Sequence, residues 1–211
     1  VQNLLRQEEI EAYPWGGDPE RVDYGALFDS RAKLLRLATK RFFEEPPADF
    51  AEFLEENQFW LPDYALFMAL KERFGGENWR NWEEEIRLRK PEALAKWREA
   101  LECEIQLQYF IQYVFRQQWD ALHAYAAEKK IKIIGDVPIY VPLDSADVWA
   151  NPELFQLDDT LRPIKVAGVP PDGFTADGQL WGNPLYDWET HQKTGFAWWK
   201  QRLLAAASLY D

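Results

Sequence analysis

Asp136 ends the most apolar part of the run at 131–141 (IKIIGDVPIYV), and from there to Trp188 the chain is rich in Asp, Asn, Pro, Gly and Trp. These residue types suit the binding of a sugar. A pyranose ring offers an apolar face to an indole or phenol and hydroxyls to carboxylates and carboxamides. An apolar run bounded by charge and turn signals fits a strand covered on both faces. Polar groups at the carboxyl end of such strands are where barrel enzymes do chemistry. Position alone leaves Asp136 a second role, as an acid that caps a turn before Pro138. The Pro170-Pro171-Asp172 and Trp181-Gly182-Asn183 groups likewise have a plainer reading, in which two prolines and two glycines stiffen a connection.

The elements that must position these residues follow from periodicity and punctuation. A polar helical pattern over 2–12 is broken by Tyr13-Pro14-Trp15-Gly16-Gly17. Residues 26–43 set Leu27, Leu34, Leu35, Ala38 and Phe42 at helical spacing before Glu44-Glu45-Pro46-Pro47. Asp49 caps a helix over 49–57, and Asp63, after Pro62, caps another over 63–74 that ends at Gly75-Gly76. A short helix spans 81–89. Pro91 opens a stretch to Lys129 that reads as one long helix, with Cys103 as a core thiol. The strand at 131–141 follows. Helical turns begin at the Asp144–Asp147 cluster and at Pro152, residues 156–188 read as a long loop, and a helix over 190–210 closes the chain with Trp198, Trp199, Leu203 and Leu204 inward. Trp149 and Trp188 are read as packing residues. So are Tyr13, Trp15, Tyr24, Phe59, Trp60 and Tyr64, whose alternative is a sugar-holding platform.

Composition narrows the function. The chain has 211 residues, 47% of them hydrophobic, enough for a core. A net charge of -12 speaks against nucleic acid, which needs clustered Lys and Arg. One cysteine excludes an internal disulfide and fits a reducing compartment. No apolar run nears the roughly 20 residues a bilayer demands, so no membrane is expected and a soluble, cytoplasmic protein is. His123 and His191 lack zinc-site spacing, and no metal is implied. The absence of nucleotide loops and of a nucleophile elbow argues against nucleotide and ester chemistry.

Four late blocks, IIGDVPIYV at 133–141, DSADVWANPELF at 144–155, VAGVPPDGF at 166–174 and GQLWGNPLYDW at 178–188, give the chain its closest likeness. PERVDYGAL at 19–27, WLPDYALFMALK at 60–71 and the Trp79/Trp82 pair extend that likeness upstream. In these residues and their order the chain resembles the 4-alpha-glucanotransferase family, glycoside hydrolase family 77, also called amylomaltase or disproportionating enzyme. The resemblance implies an α/β fold, part of a (β/α)8 TIM barrel, with residues 1–128 as a mostly α-helical insertion subdomain. Residues 129–211 would be a barrel segment comprising strand 3, a cleft-covering loop and the following helix. It further implies retaining transfer of α-1,4-glucan segments among maltooligosaccharides, without a cofactor.

By the same resemblance Asp136 lies on the cleft floor and holds sugar hydroxyls. Pro171, Asp172, Trp181 and Asn183 belong to the loop over the cleft, Trp181 stacking on substrate and Asp172 bonding to it. Gly173 stands where the family commonly carries a bulky aromatic, which suggests a more mobile loop tip. The chain starts at Val1 and ends at Asp211, and it reads as a piece. The family's nucleophile, in a pattern like RIDHFRG, and its acid/base carboxylate are expected beyond Asp211, so the chain alone is expected to be inactive. The rival readings are a non-catalytic binding or scaffolding module and a hydrolase of the same superfamily.

Overall fold

A computed structural model of the chain describes residues 4–18 and 20–211; the start of the helical pattern at 2–12, and Pro19 of the 19–27 block, lie outside them. Apolar spacing and turn chemistry produce α1 (Gln7–Glu11), α2 (Tyr24–Phe42), α3 (Asp49–Glu56) and α4 (Leu61–Arg73). A 3₁₀ turn at Trp79–Asn81 leads to α5 (Glu84–Arg87), α6 (Pro91–Ala100) and α7 (Glu102–Glu128). Asp23 caps α2 by accepting the Ala26 N–H at 3.0 Å. Gly75 and Gly76 take positive φ after α4, and the Gly76 N–H returns to the Lys71 carbonyl at 2.7 Å.

Two expected caps are not caps. Asp49 is the first residue of α3 and Asp63 lies in the first turn of α4, where a carboxylate favours the positive end of the helix dipole without closing the end. The expected long helix from Pro91 is two. Leu101, at φ -117°, turns the chain where its side chain enters the core. Cys103 is exposed, because the break sets it on the outer face of α7.

α4 packs on α7, α6 and the short helix Ala146–Ala150 that follows them. One apolar cluster gathers Leu66, Leu70, Trp79, Trp82 and Ile86 with Trp149 and Tyr186. A second joins α2, α3 and α7 through Phe42, Phe50, Phe53, Phe110 and Tyr113. In the second, the Tyr113 hydroxyl donates to Asp49 Oδ1 at 2.9 Å. Burial, with Asp49 beside it, pushes this phenol up to about 12.

Beyond α7 the chain runs through α8 (Ala146–Ala150), a 3₁₀ turn at Pro152–Leu154, β1 (Val166–Val169), β2 (Gln179–Pro184), α9 (Trp188–Lys193) and α10 (Ala197–Ala207). β1 and β2 pair antiparallel, Gly168 opposite Leu180, with an irregularity between Val166 and Gly168. The stretch 156–188 thus contains a hairpin rather than a plain loop. Its strands are too short to show alternation, and they are joined by 170–178 rather than by a tight two-residue turn. A Cβ at Gly168 would come within 2.5 Å of the Gln179 carbonyl, so close strand approach demands glycine there.

Residues 131–141 correct the sequence reading more deeply. They form no regular secondary structure and join no ladder among the described residues, and Ile131, Ile134 and Ile139 are 60, 90 and 70% exposed. β1 and β2 pair with each other and leave this run no neighbouring strand. Its backbone bonds to Asp211, Ile133 N–H donating to the Asp211 carboxylate at 2.8 Å and the Ile133 carbonyl accepting the Asp211 N–H at 3.0 Å. The closing helix is also two, because Gly195 and Phe196 both take positive φ. Leu203 and Leu204 face outward, 52 and 70% exposed.

Candidate functional site

The candidate residues sit on two segments, the irregular run 131–141 bearing Asp136 and the hairpin bearing Pro171, Asp172, Trp181 and Asn183. The run's far end is held by the helical region. Lys71 on α4 donates to Asp144 Oδ2 at 2.8 Å, and the Trp79 indole N–H donates to the Leu143 carbonyl at 2.8 Å. One turn later the Trp149 indole N–H reaches the Ile86 carbonyl at 3.2 Å, with the Arg89 guanidinium 4.3 Å from its ring centre. Ser145 caps α8 by accepting from Val148 N–H. The near end is packed by Tyr210, whose ring covers Gly135 so closely that a Cβ there would overlap it.

The hairpin is tied to the same run. The Tyr186 hydroxyl donates to the Ile139 carbonyl at 2.7 Å, and the Tyr186 ring stacks on Tyr140 at 5.9 Å. Trp181 lies against Tyr140 as well, ring centres 6.3 Å apart. Its indole N–H donates to Gln179 Oε1, and the ring is 49% exposed. Gly182, at φ 79°, turns the backbone directly after it. The result is an aromatic surface of Tyr140 and Trp181 beside the exposed carboxylate segment.

Asp172 organises the hairpin's tip. Its Oδ1 accepts the N–H groups of Phe174 and Thr175 at 2.8 and 2.9 Å, and these bonds hold the carboxyl below its ordinary value. Asp172 and Phe174 are exposed, Phe174 at 96%. Asp136, Pro171 and Gly173 are exposed too, while Asn183 is half-buried. No hydrogen bond among the described residues joins Asp136 to Asp172, Trp181 or Asn183. Tyr140 and Tyr186 were not selected from the sequence. Both stand inside the quoted blocks, but only folding shows that they meet.

The other aromatic readings divide. Trp149 is buried, and Trp198 and Trp199 pack against the same core. Trp188 is 54% exposed, although its ring still stacks on Trp199 at 6.2 Å. Trp15, Tyr24 and Phe59 are also exposed rather than packed. They sit at helix starts and links, where no second layer covers them. Among the described residues no three His, Cys, Asp or Glu side chains gather to hold a metal ion, and no helix is long and apolar enough to cross a membrane.

Comparison with known proteins gives this arrangement a context. The model of the family described as 4-alpha-glucanotransferase matches residues 1–211. The chain is 45% identical over 211 residues to a 4-alpha-glucanotransferase of Clostridium butyricum, covering 100% of this chain and 43% of the relative. It is 37% identical over 214 residues to the chloroplastic/amyloplastic 4-alpha-glucanotransferase of Solanum tuberosum, covering 99% of this chain and 36% of that one. Among solved structures, the amylomaltase from Streptococcus agalactiae in complex with acarbose matches with a TM-score of 0.91 and 43% identity, over 100% of this chain and 43% of that one. The chain therefore spans well under half the length of these relatives.

Proposed function

The chain belongs to the 4-alpha-glucanotransferase family, and we propose that the intact protein transfers α-1,4-linked glucan segments between maltooligosaccharides with retention of configuration. Its fold is that of part of a TIM-barrel enzyme, here mostly helical. The observation that carries the reading is the contact of Trp181 with Tyr140. It sets an exposed indole from the hairpin over the segment that bears Asp136. An aromatic face and a carboxylate presented by two segments suit a pyranose ring, which needs both an apolar face and polar partners.

In this reading Asp136 holds sugar hydroxyls, and Pro171, Asp172, Trp181 and Asn183 form the cover. Residues 1–128 act as a subdomain that grips the barrel segment 129–211. The carboxylates of the chemical step, a nucleophile that forms a glycosyl-enzyme ester and an acid/base that serves leaving and attacking oxygens, are assigned to the length of the relatives that this chain does not span. Closing the hairpin over bound glucan would exclude water, so that an acceptor sugar captures the ester. A cytoplasmic setting belongs to the same proposal.

Maltotriose supplies the test. The intact protein is expected to yield longer oligosaccharides, and the 211-residue chain alone none. Asp136→Asn keeps shape and removes charge, so turnover is expected to fall by more than tenfold with little change in melting temperature. Activity kept within a factor of about three would make Asp136 a turn residue. Free glucose growing without longer products would favour the hydrolase.

A further inference from the structure

A cavity of about 420 Å³ opens between the start of α4, α8 and α10, and it shares no residue with Asp136, Tyr140 or Trp181. Its aromatic wall comes from Phe59, Trp60 and Trp198, and its polar wall from Asp147, Gln201 and Arg202. Phe59 is 44% exposed, so its ring is offered to the cavity rather than spent in the core. Trp60 is fixed, its indole N–H donating to Asn57 Oδ1 at 2.9 Å and its ring 5.5 Å from the Tyr64 ring.

The polar wall is incompletely satisfied. Arg202 spreads its guanidinium over Trp198 and Trp199, 5.2 and 5.3 Å from their centres, and its Nη1 is buried without a hydrogen-bond partner. A buried guanidinium N–H without an acceptor is costly, and a small turn of the Arg202 side chain would bring it to a hydroxyl oxygen in the cavity. Asp147 lies nearby. Burial raises its carboxyl above the ordinary range, while the Arg202 charge and the Trp198 N–H oppose that rise.

These features select a ligand class. Arg202 is the only cation among the described lining residues, against Asp63, Asp147 and Glu153. Asp63 is already engaged by Arg89 and Arg98. Three carboxylates to one guanidinium, on a chain of net charge -12, disfavour a phosphate or another anion. Aromatic faces beside hydroxyl acceptors and one unused donor suit a neutral polyhydroxylated ring. The volume also falls in the range of small-ligand sites.

We propose that this cavity binds glucose units of an α-1,4-glucan, anchoring long chains to the helical region. The proposal rests on the glucan reading above for the identity of the sugar. Its test uses the intact protein and two variants on opposite walls, Phe59→Ala and Gln201→Trp. Retardation in gels containing glycogen and turnover of maltotriose are measured side by side. Glycogen retention is expected to weaken on the order of fivefold in each, with maltotriose turnover unchanged.

Unchanged glycogen retention in both variants would overturn the site. So would a parallel loss of both readouts, which would mean that the cavity is not separable from the turnover machinery. A melting scan identifies a variant that misfolds and leaves the other to decide; collapse of both would assign these side chains to the core and likewise defeat the proposal. If the unvaried protein gave no maltotriose turnover, the transferase reading would fail. Glycogen retention weakened by both variants would still establish the site.

Discussion

In the helical region the apolar side chains go inside: Leu66, Leu70, Trp79 and Ile86 are fully buried around α4. After α7 the same kinds of side chain point outward, Ile134, Phe174 and Leu180 being 90, 96 and 82% exposed. Each helix of that region buries one stripe against the next, and Trp149 and Tyr186 complete the core from beyond α7. The later region has an apolar run suited to burial on both faces and, among the described residues, no strand for it to lie beside. Its pattern is information about neighbours rather than about local packing. With the chain spanning 43% of its Clostridium relative, we assign the cover of these faces to the rest of the barrel.

The largest effect that could break this contrast belongs to Trp149, where the two regions are joined. It is 1% exposed, donates to Ile86 and lies against Phe67 and Trp82. Trp149→Ala is expected to cost roughly 3–5 kcal/mol, read by denaturant or thermal unfolding. Ile134→Ala in the 211-residue chain is expected to stay within about 0.5 kcal/mol, as for other surface positions. In the intact protein the same change should cost about 2–4 kcal/mol if a strand covers it. Equal small costs in both settings would show that Ile134 has no cover.

Trp181 sharpens the contrast at a smaller scale. Its exposed ring rests on one neighbour, Tyr140, so truncation should spare the fold. Trp181→Ala in the intact protein is expected to lower kcat/KM for maltotriose about fivefold, the equivalent of about 1 kcal/mol of lost stacking. A large fall in melting temperature with unchanged kinetics would make Trp181 a packing residue.

The sequence showed the helical region well because helices announce themselves locally. Gly75-Gly76 and the spacing of Leu34, Ala38 and Phe42 place the end of α4 and most of α2, although the Asp23 cap that starts α2 was not read from the sequence. What it missed depended on contacts between distant residues. The break at Leu101 follows from a side chain entering the core, and the hairpin pairs Val169 with Gln179 through a turn without periodicity. The same limit applies to the candidate site. Asp136 and Trp181 stand out by residue type and by the blocks around them. Tyr140 and Tyr186, which bring their segments together, look like ordinary strand and loop aromatics until the Tyr186 hydroxyl is seen on Ile139.

The smallest expected effect concerns the anchor of the hairpin. His191 is fully buried against Tyr186, Trp188 and Trp198, at ring distances of 5.5, 5.4 and 5.9 Å, and neither ring nitrogen has a partner. Burial lowers its pKa below the ordinary value of 6.5, with the nearby Leu154 backbone and then the Asp187 carboxylate opposing that shift. The folded state therefore keeps His191 neutral at a pH where the unfolded chain already takes up the proton. Stability from this residue is complete above the unfolded pKa and is lost as pH falls from it toward the folded one. Replacing the imidazole by a ring that cannot titrate removes that dependence. Between pH 7.5 and 5, His191→Phe is expected to lose about 2–4 °C less in melting temperature than the unvaried protein, whatever the two values are at pH 7.5. Identical slopes would mean that the imidazole can be protonated in place, and the anchor would then not discriminate charge.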